Sequence, residues 1–185
     1  PPWLATALFY GIKTDTMGLS RGACQADVDA YFYLQPLVEI EALTKIERAQ
    51  VPPSYFKDLA SSLQRTRVYD ETLIIAYLDW MSYPGMAAEI ADLLLRLQGV
   101  MWVIVMGVYD QEFVLSVRTL DSRGGAGEFI ERIVEGRGTA GGHGAMAGAQ
   151  ILIDGQDPSR LARELEQAIL RTFGISPENR GDPLV

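Results

Sequence analysis

Residues 101–120 read MWVIVMGVYDQEFVLSVRTL, two β-rich runs with a short polar break between them. The first run is apolar throughout, the pattern of a central strand covered on both faces. The second alternates: Phe113, Leu115 and Val117 point one way, Val114, Ser116 and Arg118 the other. The pair predicts a hairpin, with Arg118 turned outward. Upstream, TLIIAYLDW (72–80) reads as a strand and PGMAAEIADLLLRLQG (84–99) as a helix. That helix lines up Met86, Ile90, Leu93, Leu94 and Leu97 on one face and is ended by Gly99. Downstream come a helix in AGEFIERIVEG (126–136), a strand with a turn in AQILIDG (149–155), and a closing helix in DPSRLARELEQAILRTFG (157–174). Asp157 and Pro158 mark its start and Gly174 its stop. The tail ISPENRGDPLV reads as loose. Residues 69–185 are therefore expected to form an α/β unit, a mixed β-sheet with flanking helices.

Residues 1–68 carry a different signal. ADVDAYFYL and VEIEALTKIERA place apolar residues at helical spacing, and PPSYFKDLASSLQRTR opens with prolines suited to a first helical turn. Only helices are expected there, with the amphipathic run 37–48 as packing surface or as an interface in an oligomer.

The 185 residues suffice for one sizeable core or two small ones. No apolar run reaches the roughly 18 residues of a membrane span, so no membrane partner is expected. The opening PPWLATALF lacks a methionine and has the look of a fragment or a processed end. Cys24 is alone, which excludes an intrachain disulfide, suits a reducing cytoplasmic compartment, and reads as a small buried residue. A net charge of −8 argues against broad electrostatic capture of long nucleic acid. The local balance differs between 118 and 137, where Arg118, Arg123, Arg132 and Arg137 meet Asp121, Glu128, Glu131 and Glu135.

Two stretches could carry chemistry. GRGTAGGHGAMAGAQ (136–150) holds the chain's single histidine, His143, amid glycines. Its literal GxGxxG follows a helix rather than a strand, so the dinucleotide fingerprint fails on context. What remains is a glycine turn at Gly141, Gly142 and Gly144 feeding a short helix of small residues (Ala145, Ala147, Gly148). The turn's backbone amides and the helix N-terminus would form an anion site, with His143 aimed at the ligand. Arg118 and Ser116 share one face of their strand and are candidates for the same site. The second stretch, GIKTDTMGLSRGA (11–23), sets Asp15 between Thr14 and Thr16. Such a carboxylate suits a hard divalent cation, given partner ligands from elsewhere.

Taken together, TALFYGIKTDT (6–16), SVR (116–118) and GGHGAMAG (141–148) resemble the DHH-family phosphoesterases. This RecJ-like superfamily includes exonucleases and nanoRNase or pAp-phosphatase types. The resemblance runs over about residues 4–153. It implies that 1–68 is the helical C-terminal remnant of a DHH catalytic domain plus linker, and that 69–185 is a DHH-associated substrate-binding domain. It implies a metal-binding role for Asp15 toward manganese, or magnesium, with Thr14 and Thr16 orienting it. It also implies that Arg118, Ser116, Gly141, Gly142, His143 and Gly144 grip substrate phosphate, with Ala147 and Gly148 packing behind. The chain departs from the family in having no Asp-His-His and no His-x-x-x-Asp-x-Asp motif. Where relatives carry an asparagine-containing turn, it has DSRGGAG (121–127).

The expected function is the substrate-binding portion of a manganese-dependent phosphoesterase acting on small nucleotides, short oligonucleotides or single-stranded nucleic acid. The catalytic half would lie outside this chain, and the chain alone would be inactive. Two rival readings are a nucleotide sensor that needs no metal, and a nucleic-acid-binding accessory domain like that of alanyl-tRNA synthetases.

Overall fold

A computed structural model describes residues 1–121 and 123–185. Ser122, within the DSRGGAG turn, lies outside the described residues. The chain divides into two compact units, Pro1–Val51 and Pro52–Val185. The division falls earlier than the 68/69 change of sequence pattern because helix α4 (Pro53–Arg65) packs on the sheet of the second unit.

The first unit is helical, as its periodicity implies: α1 (Pro2–Asp15), α2 (Gln25–Leu34) and α3 (Ile40–Glu47). Its core is small. Ala5 and Phe9 of α1 and Leu43 of α3 are buried, and the Phe9 and Tyr31 rings lie 4.4 Å apart. The Glu39 backbone N–H donates to the Thr6 hydroxyl at 2.9 Å, and Lys13 pairs with Glu47. The 37–48 run packs through Leu43 alone, with Leu37, Ile40 and Ile46 exposed. Cys24, expected inside, is exposed, because it stands just ahead of α2 rather than on a packed face.

The second unit is built on seven strands in the order β5-β6-β4-β3-β2-β1-β7. These are β1 (Arg67–Tyr69), β2 (Leu73–Trp80), β3 (Trp102–Tyr109), β4 (Glu112–Thr119), β5 (Thr139–His143), β6 (Met146–Leu152) and β7 (Asp182–Pro183). Only β2 and β3 run parallel, joined by α5 (Met86–Leu94) as the crossover that parallel neighbours need. β3 and β4 form the expected hairpin, with Tyr109 paired to Glu112.

Both faces of the sheet are covered at its centre. Ile74, Ala76, Val103 and Val105 pack with α5 and with Leu59 and Leu63 of α4. Ile75, Ile104, Phe113, Leu115 and Val117 pack with α6 (Ala126–Ile133) and α7 (Pro158–Thr172) on the other side. β3 is thus sandwiched, which explains its uninterrupted apolar run. α5 ends at Leu94 rather than at Gly99. Leu97 therefore lies beyond the helix and is exposed, Leu93 is exposed on the outer side of α5, and Met86, Ile90 and Leu94 fill the interface.

α7 begins as expected: the Asp157 carboxylate accepts from the Ser159 N–H at 3.0 Å. Asp157→Ala is expected to lower stability by about 1 kcal/mol, read as a small fall in melting temperature. The tail is not loose. Leu184 N–H donates to Thr66 O at 3.3 Å, and β7 extends the sheet beside β1. Gly181 (φ +62°) permits the approach, since a Cβ there would stand 2.8 Å from the Tyr69 ring. The composition of 175–185 hides this because the ordering contacts are all long-range.

Tyr69 is buried under this tail, and its hydroxyl donates to Glu166 Oε1 at 2.6 Å. Burial, with that carboxylate second, raises its pKa above the ordinary tyrosine value. The folded state therefore holds the phenolic proton more tightly than the unfolded state does. Its contribution is complete below about pH 10 and is lost as pH rises beyond it. Tyr69→Phe is expected to cost about 1 kcal/mol at neutral pH and to flatten part of the alkaline loss in a pH series of thermal melts.

Candidate phosphate-binding site

β4, β6 and β5 lie side by side at one end of the sheet, and their register decides which side chains meet. Arg118 pairs with Met146, and Met146 with His143. Directly opposed residues in antiparallel strands share a face, so Arg118 and His143 lie on the same side, two strand spacings apart. That is roughly 10 Å between backbones. The next row is Ser116, Gly148 and Gly141, followed by Val114, Gln150 and Thr139. The glycine row leaves a hollow of about 300 Å³ bordered by Val114, Thr139 and Gln150. A Cβ on Gly141 would meet nothing within 4 Å, so tertiary packing does not demand glycine there. The effect of the missing side chain is an open floor.

Arg118 is not turned to solvent as expected. Its face is the one that α5 covers, so it is buried against Asp92 of α5. Its Nε donates to Asp92 Oδ1 at 2.6 Å, and its Nη1 donates to Ser116 Oγ at 2.9 Å and to Val117 O at 3.0 Å. Ser116 is buried and holds the guanidinium rather than facing the hollow itself. Asp92 is largely exposed and closes the Nε edge of a fork whose Nη1 is already held by Ser116 and Val117.

The glycine-rich segment folds differently from the expected turn-plus-helix. It is a β-hairpin, β5 to β6, turning at Gly144 and Ala145. Gly144 has φ +52° and stands first in the two-residue turn, the position that favours glycine in a type II′ hairpin. The small residues suggest a tightly packed helix, but Ala147, Ala149 and Ile151 are buried at a spacing of two, which is strand periodicity. No helix N-terminus therefore opens at His143. The turn contributes acceptors instead: Gly144 O accepts from the Ala126 N–H at 3.2 Å and Ala145 O from the Thr119 N–H at 3.0 Å. Those two bonds hold the hairpin end between β4 and α6. Gly142 is required by packing, since its Cβ would lie 2.4 Å from Ala147 Cβ. His143 is exposed beside the turn.

In the first unit, Asp15 ends α1 and is exposed. Its flanking hydroxyls do not orient it. Thr14 Oγ1 donates to Tyr10 O and Thr16 Oγ1 to Ile12 O, both back into the helix, as threonine commonly does in a last helical turn. Among the described residues no group of three His, Cys, Asp or Glu side chains could hold a metal ion. Asp15 is at most one ligand, so the residues present do not fit a manganese or magnesium centre by themselves. Asp92 is the member of the site that sequence reasoning missed. Its only signal was being one of two acidic residues, with Glu89, in a largely apolar helix.

The fold is α/β, a mixed sheet flanked by helices. The chain shares it with an exopolyphosphatase-related protein from Bacteroides fragilis: TM-score 0.67, 14% identity, covering 91% of this chain and 50% of that one. RecJ from Thermus thermophilus aligns at TM-score 0.44 and 17% identity over 80% of this chain and 21% of its own. In sequence, the chain is 31% identical over 185 residues to the uncharacterized protein MJ1633 of Methanocaldococcus jannaschii. It spans 38% of that relative's length. No protein-family model matches the chain. Among the described residues no helix is long and apolar enough to cross a membrane.

Proposed function

We propose that this chain is the substrate-holding part of a DHH-family phosphoesterase, gripping a phosphate of a small nucleotide or short oligonucleotide on the shelf formed by β4, β6 and β5. The observation that carries the reading is the cross-strand row Arg118–Met146–His143 lying beside the row Ser116–Gly148–Gly141, whose two glycines leave the sheet uncovered. Arg118 supplies a fork and His143 a ring N–H, and the missing side chains let the ligand lie against the sheet. Charge-assisted bonds of this kind contribute roughly 1.5–3 kcal/mol each, enough for micromolar to millimolar binding after association costs.

Hydrolysis in the whole protein would fall to a divalent-metal centre, with manganese the expected ion, which the described residues of this chain do not build by themselves. Asp15 would be the one carboxylate this chain lends it. The exposed apolar side chains of the first unit, Trp3, Leu8, Phe32 and Tyr33, support the reading that it belongs to a larger catalytic domain, since small isolated domains rarely leave so many large apolar groups uncovered.

The test is calorimetric titration of the chain with adenosine 3′,5′-bisphosphate and with a 5′-phosphorylated dinucleotide. Binding of at least one, lost in His143→Ala, is the expected result; silence from both would remove the proposal. The purified chain with added manganese should not hydrolyse either ligand, and turnover would overturn the assignment of catalysis elsewhere. The isolation of Asp15 also favours a second reading, a nucleotide-binding regulatory module without metal chemistry. In that case Asp15→Ala in the full-length protein leaves its activity unchanged.

A further inference from the structure

A cavity of about 860 Å³ stands apart from the phosphate shelf. It lies within the second unit, between the end of α4, strands β1 to β3, helix α7 and the C-terminal tail, on the face of the sheet opposite Arg118. Its size falls in the range of small-molecule sites.

Three features of this cavity point to a ligand. Four arginines, Arg65, Arg67, Arg163 and Arg180, line it against two glutamates, Glu166 and Glu178, in a chain whose net charge is −8. Glu166 already accepts from Tyr69. Arg65 pairs with Asp79, and Arg67 donates to backbone carbonyls. Arg163 and Arg180 have no ion-pair partner among the described residues. Second, the floor is formed by Ile75, Tyr77 and Met106, and the Tyr77 hydroxyl is buried beside Ser159 without a hydrogen bond of ordinary geometry among the described residues. A buried hydroxyl without a partner is uncommon and calls for one.

Third, the tail is built as a wall. Asn179 Oδ1 accepts from the Gly181 N–H at 2.9 Å, Asn179 N–H donates to Ser176 O at 3.0 Å, and β7 docks on β1. Arg180 is thereby held at the cavity mouth instead of trailing in solvent.

We infer that this cavity binds a nucleotide carrying two or more phosphates, at a site separate from the phosphate shelf. Arginine forks match phosphate oxygens, and several of them around one opening match more than one phosphate group. The apolar floor and the Tyr77 hydroxyl would take the base, with the side-chain amides of Gln64 and Gln167 at its edge.

The experiment titrates the full chain, and its Arg118→Ala variant, with ADP, pyrophosphate and adenosine by calorimetry. ADP is expected to bind both proteins with affinities within about twofold of each other for this site. The Arg163→Ala/Arg180→Ala double variant should weaken ADP about tenfold or more, and Tyr77→Phe about threefold. Both arginines are exposed, so an unchanged thermal melt would show that the double variant is folded. The assignment is overturned if ADP gives no binding up to about 5 mM, if the double variant binds as tightly as the parent, or if Arg118→Ala abolishes all ADP binding. Pyrophosphate binding as tightly as ADP while adenosine gives no heat would overturn the nucleotide and leave a phosphate site only.

Discussion

Arg118→Ala is expected to weaken phosphate-ligand binding by about 10- to 100-fold, and Asp92→Asn to strengthen it several-fold. The first expectation follows from removing a charged fork worth roughly 1.5–3 kcal/mol to a bound anion. The second follows from competition. Asp92 occupies Nε of Arg118 at 2.6 Å, where a phosphate oxygen would sit, and a neutral amide is a poorer rival for it. Ser116 and the Val117 carbonyl still hold Nη1 in Asp92→Asn, so the fork stays oriented. The stability cost of Asp92→Asn should be moderate, about 1 kcal/mol, because Arg118 is buried while Asp92 is more than half exposed and the amide oxygen can still accept from Nε. Calorimetry with adenosine 3′,5′-bisphosphate reads the binding and a thermal melt reads the stability. If Asp92→Asn destabilises the fold markedly and leaves binding unmoved, the pair is a structural strut and the shelf is not a phosphate site.

Gly142→Ala and Gly141→Ala, one residue apart, are expected to fail in opposite ways. A methyl at 142 would stand 2.4 Å from both Ala147 Cβ and Met146 O, and neither can move without parting β5 from β6. Such overpacking costs about 3 kcal/mol or more, a fall of roughly 6–12 °C in melting temperature for a chain of this size. The hairpin end, tied to Thr119 and Ala126 through the turn carbonyls, should show the largest gain in amide exchange. A methyl at 141 meets nothing within 4 Å and should change stability by less than about 0.5 kcal/mol. It would project into the hollow, however, and weaken phosphate ligands a few-fold while the melt stays in place. Equal melts for the two variants would show that the two strands do not pair in this register.

Much of this was legible in the residues. The apolar run 102–109 could only be a strand covered twice, and the alternation of 113–118 assigned Arg118 and Ser116 to one face. Asp157 and Gly174 bounded the closing helix because capping is a local, two- or three-residue interaction. The Ser-x-Arg and Gly-Gly-His segments also stand two strands apart in one sheet, with Arg118 and His143 in one cross-strand row.

What the residues did not reveal depends on distant partners. A run of small residues at 145–148 suits a packed helix or an inner strand equally, and only pairing with β4 makes it a strand. Arg118 looks like a surface residue until α5 lays Asp92 across it, a contact over 26 positions of chain. The tail 175–185 has a loop's composition, yet β1 and Tyr69, more than a hundred residues earlier, give it order. Outside those stretches, sequence by itself determined the type of most segments and the inward residues of β3 and β4, because both follow from the 3.6- and 2-residue periods of the backbone. Only the tertiary structure decided the hairpin at His143, the partner of Arg118 and the arginine-lined cavity under the tail, because each is created by the packing of segments that do not touch along the chain.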